Sequence, residues 1–173
     1  TVQVLDPSNS TAISVPAEPG WNLLSVPVIE NDYRKTAIFS QALSTAFAYT
    51  GSYVVKDTLQ NGAGYWLKFG FAQDISLSGG TLSKDTVEVS AGWNMIGSIS
   101  TPVAVANQVH PVSPMTVTSN YFGYSTGYFV ADTLFPGRAY WLKVDRVCHI
   151  VVHHSIWAPA SLASRLLGKQ LAH

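Results

Sequence analysis

The chain has 173 residues, enough for one ordinary domain or two small ones, and its ten acidic and ten basic side chains cancel. Only 12% of the residues are charged, so the sequence offers no basic patch for nucleic acid or an anionic membrane. The single cysteine, Cys148, excludes an intrachain disulfide, and no apolar run approaches the roughly 20 residues that span a bilayer. We therefore expect no nucleic acid partner, no transmembrane segment and no cofactor, whereas the low net charge permits self-association.

The predicted elements begin with a strand, residues 1–5, and a turn-rich leash, residues 6–11. Val2, Val4 and Leu5 supply the apolar residues of this strand, because the two valines alternate with a polar residue. A strand on a leash can close its own sheet or add to the exposed edge of the next molecule. The second arrangement is head-to-tail and generates filaments, so we interpret the segment as an assembly strand.

The rest of the chain carries nearly the same pattern twice. Residues 47–69 and 122–144 are identical at 12 of 23 aligned positions without a gap. Upstream, GWNLLSVPV from Gly20 pairs with GWNMIGSIS from Gly92. Such self-similarity predicts two structural units. We assign the units to residues 12–80 and 81–155, with the boundary near Gly79 and Gly80.

Both units have the residue types of β-strands, in short runs rich in β-branched and aromatic residues. The alternation in YWLKF, residues 65–69, places its first, third and fifth residues on one face and Trp66 on the other. YWLKV, residues 140–144, repeats this with Trp141. We expect the first face to join the core and each Trp to lie flat on the outer sheet beside a Lys stem.

Glycines recur at matching turns of the two units. An Asn-Gly dipeptide in the first unit corresponds to Pro-Gly in the second, and both suit a type II turn with Gly at positive φ. Because the turn is kept while its chemistry changes, Gly62 and Gly137 are predicted to be structural. Gly20 and Gly92, each followed by Trp, are predicted to lie at equivalent corners.

Helix is scarce in the sequence. TAIFSQALSTAF predicts one or two helical turns with Ile38, Ala42 and Leu43 on one side. The tail, residues 156–173, has a more helical pattern with Pro near its start and Gly near its end. It resembles nothing upstream, and two interpretations stay open: a docking helix, or residues foreign to the native protein.

Two motifs could carry chemistry. GYSTG, residues 123–127, formally matches the nucleophile elbow G-x-S-x-G, but that motif works only on a turn from strand to helix. Here it lies between two aromatic strand segments, and the first unit has no Ser in register. We therefore predict a hairpin turn, and we do not expect an enzyme.

The segment CHIVVHH suggests a metal site. In a strand, however, His149 and His153 would lie about 13 Å apart on one face, with Cys148 and His154 on the other. A closed site would need ligands from elsewhere, and His110 is the other internal histidine. We therefore predict a solvent-exposed strand end and no metal.

The combination of GWN(L/M)(I/L) with DTL-x-x-G-x-x-YWLK covers residues 12–152 in two copies. It resembles repeats near the C-termini of secreted, multidomain surface proteins of Bacteroidetes-type bacteria. The resemblance implies an extracellular or cell-surface all-β module that brings no catalytic residues. The Asp-Thr-apolar sequences also resemble the O-glycosylation acceptors of such proteins, which makes Thr58, Thr86 and Thr133 candidates. The alternative, which explains two of the three, is that the Asp only caps a turn through its carboxylate.

These patterns predict an all-β fold of two tandem homologous β-sandwich-like units, with an extra N-terminal strand and a short C-terminal tail. The favoured function is a non-catalytic extracellular structural module, a self-assembling fibre or surface-layer subunit joined by β-strand addition. The alternative is a carbohydrate-binding or adhesion module in which Trp66 and Trp141 stack on a polysaccharide. The two functions differ in whether these rings lie exposed in rows or are capped by neighbours.

Overall fold

The structure is a computed structural model that describes residues 9–154, with the backbone alone described at residues 107 and 108. It is 56% strand and 5% helix, which confirms the prediction of an all-β fold. Among the described residues, no helix has the length and hydropathy needed to cross a membrane. The predicted assembly strand with Val2, Val4 and Leu5 lies outside the described residues, as does the whole tail, residues 156–173.

The first half of the described chain forms two antiparallel sheets. Its elements are β1 (Ser10–Ala17), β2 (Gly20–Ser25), β3 (Val28–Ile29), α1 (Lys35–Ile38), β4 (Ala46–Tyr49), β5 (Tyr53–Lys56), β6 (Gly64–Phe69) and β7 (Gln73–Thr81). One sheet has the order β1-β7-β3 and the other β2-β6-β4-β5. Apolar and polar residues alternate along β1 and β7, so each strand turns one face to the core.

The second half forms a three-stranded sheet, a four-stranded sheet and one short strand pair. Its elements are β8 (Lys84–Val89), β9 (Gly92–Ile96), β10 (Val103–Ala104), α2 (Val105–Gln108), β11 (Val109–Pro111), β12 (Tyr121–Tyr124), β13 (Tyr128–Ala131), β14 (Thr133–Leu134), β15 (Tyr140–Val144) and β16 (Cys148–His153). The sheets have the orders β8-β16-β11 and β9-β15-β12-β13, and β10 pairs with β14.

The two halves share a strand order. The sheet β8-β16-β11 corresponds to β1-β7-β3, and β9-β15-β12-β13 corresponds to β2-β6-β4-β5. Gly79 and Gly80 lie within β7, where an added Cβ on Gly79 would overlap the carbonyl oxygen of Ile29 in β3. The link between the halves is residues 82–83. The interpretation of the halves as tandem homologous units stays a prediction.

Each half has its own hydrophobic core between its two sheets. In the first half, Val15 and Leu77 from one sheet share a buried cluster with Leu67 from the other. In the second half, Val152 and Leu142 share a cluster in the same way. Face-to-face packing of two sheets around alternating apolar residues is the arrangement of a β-sandwich.

The aromatic strands β6 and β15 face these cores as predicted. Tyr65 and Tyr140 are each only 2% exposed. The backbone N–H of Gln60 donates to the Tyr65 hydroxyl at 3.0 Å, and that of Phe135 donates to the Tyr140 hydroxyl at 2.8 Å. Burial raises the pKa of both phenols, so both stay neutral and serve as polar anchors for the turn that precedes each strand.

Reciprocal backbone hydrogen bonds join the two halves. The N–H of Ser25 donates to the carbonyl of Gly137 at 2.9 Å, and the N–H of Gly97 donates to the carbonyl of Gly62 at 2.8 Å. Both acceptor glycines have positive φ, +76° at Gly62 and +77° at Gly137. The turn before each YWLK strand therefore docks on the Gly-Trp-Asn strand of the other half.

Side chains reinforce the same junction. The Ser25 hydroxyl donates to the carbonyl of Arg138 at 2.7 Å and lies 3.1 Å from the Ser98 hydroxyl. The Ser100 hydroxyl donates to the carbonyl of Pro27 at 2.7 Å. Beside these bonds lies a separate buried cluster of Leu23, Met95, Ala139 and Trp141. Because polar and apolar contacts both cross the boundary, the halves form one packed unit.

The predicted helix near residue 38 is a single turn, Lys35–Ile38. Ile38 and Ala42 are buried, but Leu43 is 72% exposed. The expectation that Leu43 shares their side was wrong, because the helical spacing ends with the turn and the chain then runs irregularly to β4.

Candidate aromatic site

The outer faces of the two four-stranded sheets carry aromatic rings at alternating positions. In the first half, Phe47 and Tyr49 of β4, Tyr53 of β5 and Trp66 of β6 point away from the core, because their neighbours Ala46, Ala48, Tyr65 and Leu67 fill it. Matching positions of the second half carry Phe122, Tyr124, Tyr128 and Trp141. The alternation of each strand thus places one set of rings in the core and a second set on the outer face.

Rings from each half pack edge-on against a tryptophan of the other. The centroids of Tyr49 and Trp141 are 4.9 Å apart with an interplanar angle of 71°, and those of Trp66 and Tyr124 are 4.8 Å apart at 80°. Trp141 is 8% exposed and Trp66 is half-buried. The two tryptophans predicted to stack on sugar are therefore capped by neighbours. Trp141 does not lie open on the outer sheet as expected, because the other half covers it.

Two open pockets flank these contacts, with volumes of about 470 and 460 Å³. All six residues that line each pocket are aromatic. The first is lined by Tyr49, Tyr53, Trp93, Phe122, Tyr128 and Trp141, and the second by Trp21, Phe47, Tyr53, Trp66, Tyr124 and Tyr128. Matching the halves by sequence converts one set into the other, residue for residue. Tyr53 and Tyr128 belong to both pockets.

Four rings of the pockets are open to solvent. Trp21 and Trp93 are 44% and 43% exposed, and Tyr53 and Tyr128 are 56% and 59% exposed. Trp21 packs edge-on against Phe47 at 5.9 Å, so its position is fixed although much of its surface is free. The exposed rings of the site are therefore these four, and not the two that the sequence favoured.

The polar groups of the pockets are phenols and indoles. The hydroxyls of Tyr49, Tyr53 and Tyr124 make no hydrogen bond with any described residue. Burial raises the pKa of the Tyr128 phenol, and nearby Tyr53 raises it further, so this hydroxyl stays neutral. The buried N–H of Trp141 has no partner that meets hydrogen-bond geometry among the described residues, although it lies near enough to Tyr128 to lower that pKa.

The glycines singled out in the sequence lie at turns beside the site. Gly20 and Gly92, which precede Trp21 and Trp93, have φ of +94° and +96°. An Asn side chain closes each corner, because Asn22 bonds the backbone N–H and C=O of Glu18 across the turn, and Asn94 bonds those of Ser90. These corners fix the start of β2 and β9, and thereby the two exposed tryptophans. All four predicted glycines, Gly20, Gly62, Gly92 and Gly137, have positive φ.

The three candidate threonines are not equivalent. Thr58 and Thr86 are exposed and line one polar cavity, while Thr133 is half-buried and its hydroxyl donates to the Asp132 carboxylate at 3.0 Å. The backbone N–H of Thr86 donates to the Asp85 carboxylate at 2.8 Å, which is the capping contact of the alternative interpretation.

Two sequence motifs remain, GYSTG at residues 123–127 and the histidine-containing segment that begins at Cys148. Residues 123–127 comprise the end of β12 and the three-residue connection to β13, which confirms the hairpin turn. Within residues 9–154, no group of three or more His, Cys, Asp or Glu could hold a metal ion.

The segment with Cys148 was expected to be an exposed strand end, and this was wrong for His153. It forms β16, the central strand of its sheet, paired with β8 on one side and β11 on the other. His149 and His154 are exposed, but His153 is 8% exposed and stacks on His110 at 5.1 Å. His110 on the neighbouring strand β11 covers His153, a contact that the sequence of β16 alone does not predict.

Sequence reasoning missed the exposed rings of the site, Trp21, Trp93, Tyr53 and Tyr128. The available signal was the duplicated spacing of Phe47, Tyr49 and Tyr53, which recurs at Phe122, Tyr124 and Tyr128. Those residues fall on one face of a hairpin. Duplicated aromatics on a face opposite the core indicate a second aromatic surface, because they cannot contribute to the core of their own half.

The fold and the site define an all-β protein of two sandwich-like halves with a continuous aromatic outer face. No family model, curated protein or solved structure matches the chain. The resemblance to surface-protein repeats of Bacteroidetes-type bacteria, and the location that it implies, therefore stay predictions.

Proposed function

We propose that the protein is a non-catalytic, extracellular binding module whose twin aromatic pockets hold a neutral polysaccharide. The observation that carries the proposal is that both pockets are lined by aromatic rings alone, at matching positions of the two halves. Their volumes fall within the range of small-ligand sites, and neither lining contains a charged residue.

A sugar ring complements such a pocket in two ways. The C–H groups on one face of the ring carry partial positive charge and pack on the negative face of an aromatic ring. The hydroxyls around its rim need hydrogen-bond partners, and the unpaired phenols of Tyr49, Tyr53 and Tyr124 are available for this. An ionic ligand would find no countercharge in these linings.

The test is binding to neutral polysaccharides by variants that remove one exposed ring. Trp21→Ala and Trp93→Ala each take a ring from one pocket, and we expect each to weaken retention on cellulose or chitin up to about tenfold, ~1.4 kcal/mol. The double variant should lose more than either. Tryptophan fluorescence during titration with a soluble glucan provides a second measurement.

Phe71→Ala is the matched control, because Phe71 is 65% exposed but lines neither pocket. Its retention should equal that of the unaltered protein. Equal retention by Trp21→Ala and Trp93→Ala would contradict the proposal, provided that circular dichroism shows an intact fold. Trp141→Ala is unsuitable for this test, because the ring belongs to the buried junction of the halves.

The predicted structural role remains a second candidate, supported by the open edges of the four-stranded sheets. Every residue of β5 is exposed, and Tyr128, Phe129 and Val130 of β13 are 59%, 48% and 60% exposed. Apolar edge strands are the surfaces through which sheets of separate molecules pair. If the assembly strand at residues 1–5 is responsible, deletion of residues 1–8 should leave monomers with an intact fold, as measured by sedimentation.

A further inference from the structure

A different kind of cavity lies between the hairpin β4–β5 and strand β8 of the other half. Its volume is about 360 Å³, and its lining includes Lys56, Thr58, Gln60, Thr86 and Glu88. At ~30 Å³ for each water in the liquid, the space holds on the order of a dozen non-hydrogen atoms. The cavity is thus large enough for a small ligand, and its lining is polar where the twin pockets are aromatic.

This cavity can be compared with a second cavity at the matching place of the other half. The matching place of the other half is a cavity of about 300 Å³, whose lining has Phe135 and Pro16 at the positions of Gln60 and Glu88. The position of Lys56 is matched by Ala131. The second half forms the same strands with these apolar residues. The fold therefore does not require the polar residues of the first cavity.

Three polar side chains of the cavity, Lys56, Gln60 and Glu88, have no partner among the described residues. The ion pairs of the described residues are Arg34–Asp32 and Arg146–Asp145, so Lys56 and Glu88 form none. The side chains of Lys56, Gln60 and Glu88 make no hydrogen bond to a described residue.

Asn61, which lines the same cavity, behaves differently. Its amide donates to the carbonyls of Val26 and Val28, both at 2.8 Å, and so serves the fold. Asn94 of the same lining also hydrogen-bonds the backbone, so these two Asn side chains differ from the three that have no structural partner.

We propose that this cavity binds a small zwitterion of dipeptide size. Lys56 would hold its carboxylate, Glu88 its ammonium group, and Gln60 its amide. The assignment rests on charge complementarity, because one cation and one anion line the same space without pairing with each other. This site is separate from the aromatic pockets and does not depend on their function.

Three probes distinguish a zwitterion from a ligand with one charge. Alanylalanine carries both charges, N-acetyl-alanylalanine lacks the ammonium group, and alanylalanine amide lacks the carboxylate. Amide chemical shifts in a ¹⁵N-labelled sample should move around the cavity on addition of alanylalanine. Each derivative should bind about tenfold more weakly, since each loses one charge-assisted contact.

Variants assign the binding to the named residues. Lys56→Gln and Glu88→Gln should each weaken alanylalanine binding about tenfold, while Lys84→Gln and Glu18→Gln, which alter exposed charges outside the cavity, should not. Gln60→Phe installs the residue of the matching position, removes the amide partner of the ligand and should weaken binding. Trp21→Ala should leave it unchanged, which separates this site from the aromatic pockets.

Equal binding of the three probes would overturn the proposal, as would no binding by any of them. Unchanged binding in both Lys56→Gln and Glu88→Gln would do the same. These two substitutions alter exposed side chains without core contacts, so they decide the question even if Gln60→Phe fails to fold.

Discussion

A side chain added at a glycine can lower stability in two ways, through backbone strain or through steric overlap. Three glycines of this protein differ in which of the two applies. Gly127 has neither, because its φ is not positive and no atom lies within 4 Å of an added Cβ. Gly20 has a φ of +94° but open space, and Gly137 has a φ of +77° with an added Cβ overlapping a methyl of Val15.

We therefore expect a graded series for substitution by alanine. Gly127→Ala should leave the free energy of unfolding nearly unchanged, and Gly20→Ala should lower it by about 1–3 kcal/mol through strain. Gly137→Ala should lower it further, by about 1–3 kcal/mol more, because Val15 must move within a packed core. Urea unfolding measures all three. Equal stability of Gly20→Ala and Gly127→Ala would show that the corner tolerates a side chain.

Trp66 and Trp141 show where residue-scale prediction stops. Both lie in the same YWLK sequence, and alternation predicts correctly that each points away from its own core. Their exposure nevertheless differs, since Trp141 is buried and Trp66 is half-buried. Identical local sequences cannot encode this difference. It arises from what the other half places over each ring.

At the scale of elements, we predict that molecules self-associate through the edge strands β5 and β13. Val55 and Val130 are 50% and 60% exposed at matching positions of these edges. A charge at an edge disfavours pairing with a second sheet. Val55→Lys with Val130→Lys should therefore weaken self-association at least about tenfold, ~1.4 kcal/mol, in sedimentation velocity at high concentration.

The control for the edge variants is Val147→Lys. Val147 is 65% exposed but lies in the turn between β15 and β16, away from both edges. It should associate like the unaltered protein. A monomeric unaltered protein, or equal association by all variants, would contradict an assembly role for these edges.

Strand existence could be predicted from residue types, whereas strand position within a sheet could not. The strand that begins at Cys148 was recognised as β, but its place between β8 and β11 depends on pairings with residues far away in sequence. Central placement buries His153, which an isolated strand would expose. Short strands without a decisive alternation leave this choice to tertiary packing.

At the scale of the whole molecule, the junction of the halves contains a carboxylate that burial disfavours. Burial raises the pKa of Asp85, against the opposing hydrogen bond from the Thr86 N–H, and its Oδ2 atom is buried without a partner among the described residues. The atom lies beside Gly62 of the other half, and the matching residue in the first half is Ile13.

A raised pKa means that the folded state favours the protonated form of Asp85. Its stabilising contribution is therefore complete below the unfolded pKa and is lost as the pH rises through the folded pKa. Asp85→Asn stays neutral, so it should stabilise the protein by about 1–3 kcal/mol at neutral pH and give no gain in acid.

Thermal unfolding across this pH range provides the measurement, with Asp74→Asn as the control at an exposed carboxylate. The stability difference between Asp74→Asn and the unaltered protein should not increase as the pH rises from the unfolded-state pKa to the folded-state pKa of Asp85. A gain from Asp85→Asn that is independent of pH would mean that ionisation of this group is not the cause.

The docking of the halves could not be predicted from the sequence, although the two patterns were plain in it. Equal sequence patterns are compatible with separate domains or with one packed unit. The choice rests on contacts such as Ser25 to Gly137 and Tyr49 to Trp141, whose partners are more than 90 residues apart. Such contacts follow from shape complementarity of the finished halves, which no local pattern expresses.

The reciprocal contacts also determine how the two aromatic pockets are oriented relative to each other. Where Tyr49 of one half meets Trp141 of the other, and Tyr124 meets Trp66 in return, the halves are related by an approximate two-fold rotation. A two-fold rotation about an axis normal to the face would reverse every direction within that face. A polymer with distinct ends would thus run one way over the first pocket and the opposite way over the second. Under the proposed function, two antiparallel polymer strands would satisfy both pockets alike, and the protein would join oppositely directed chains.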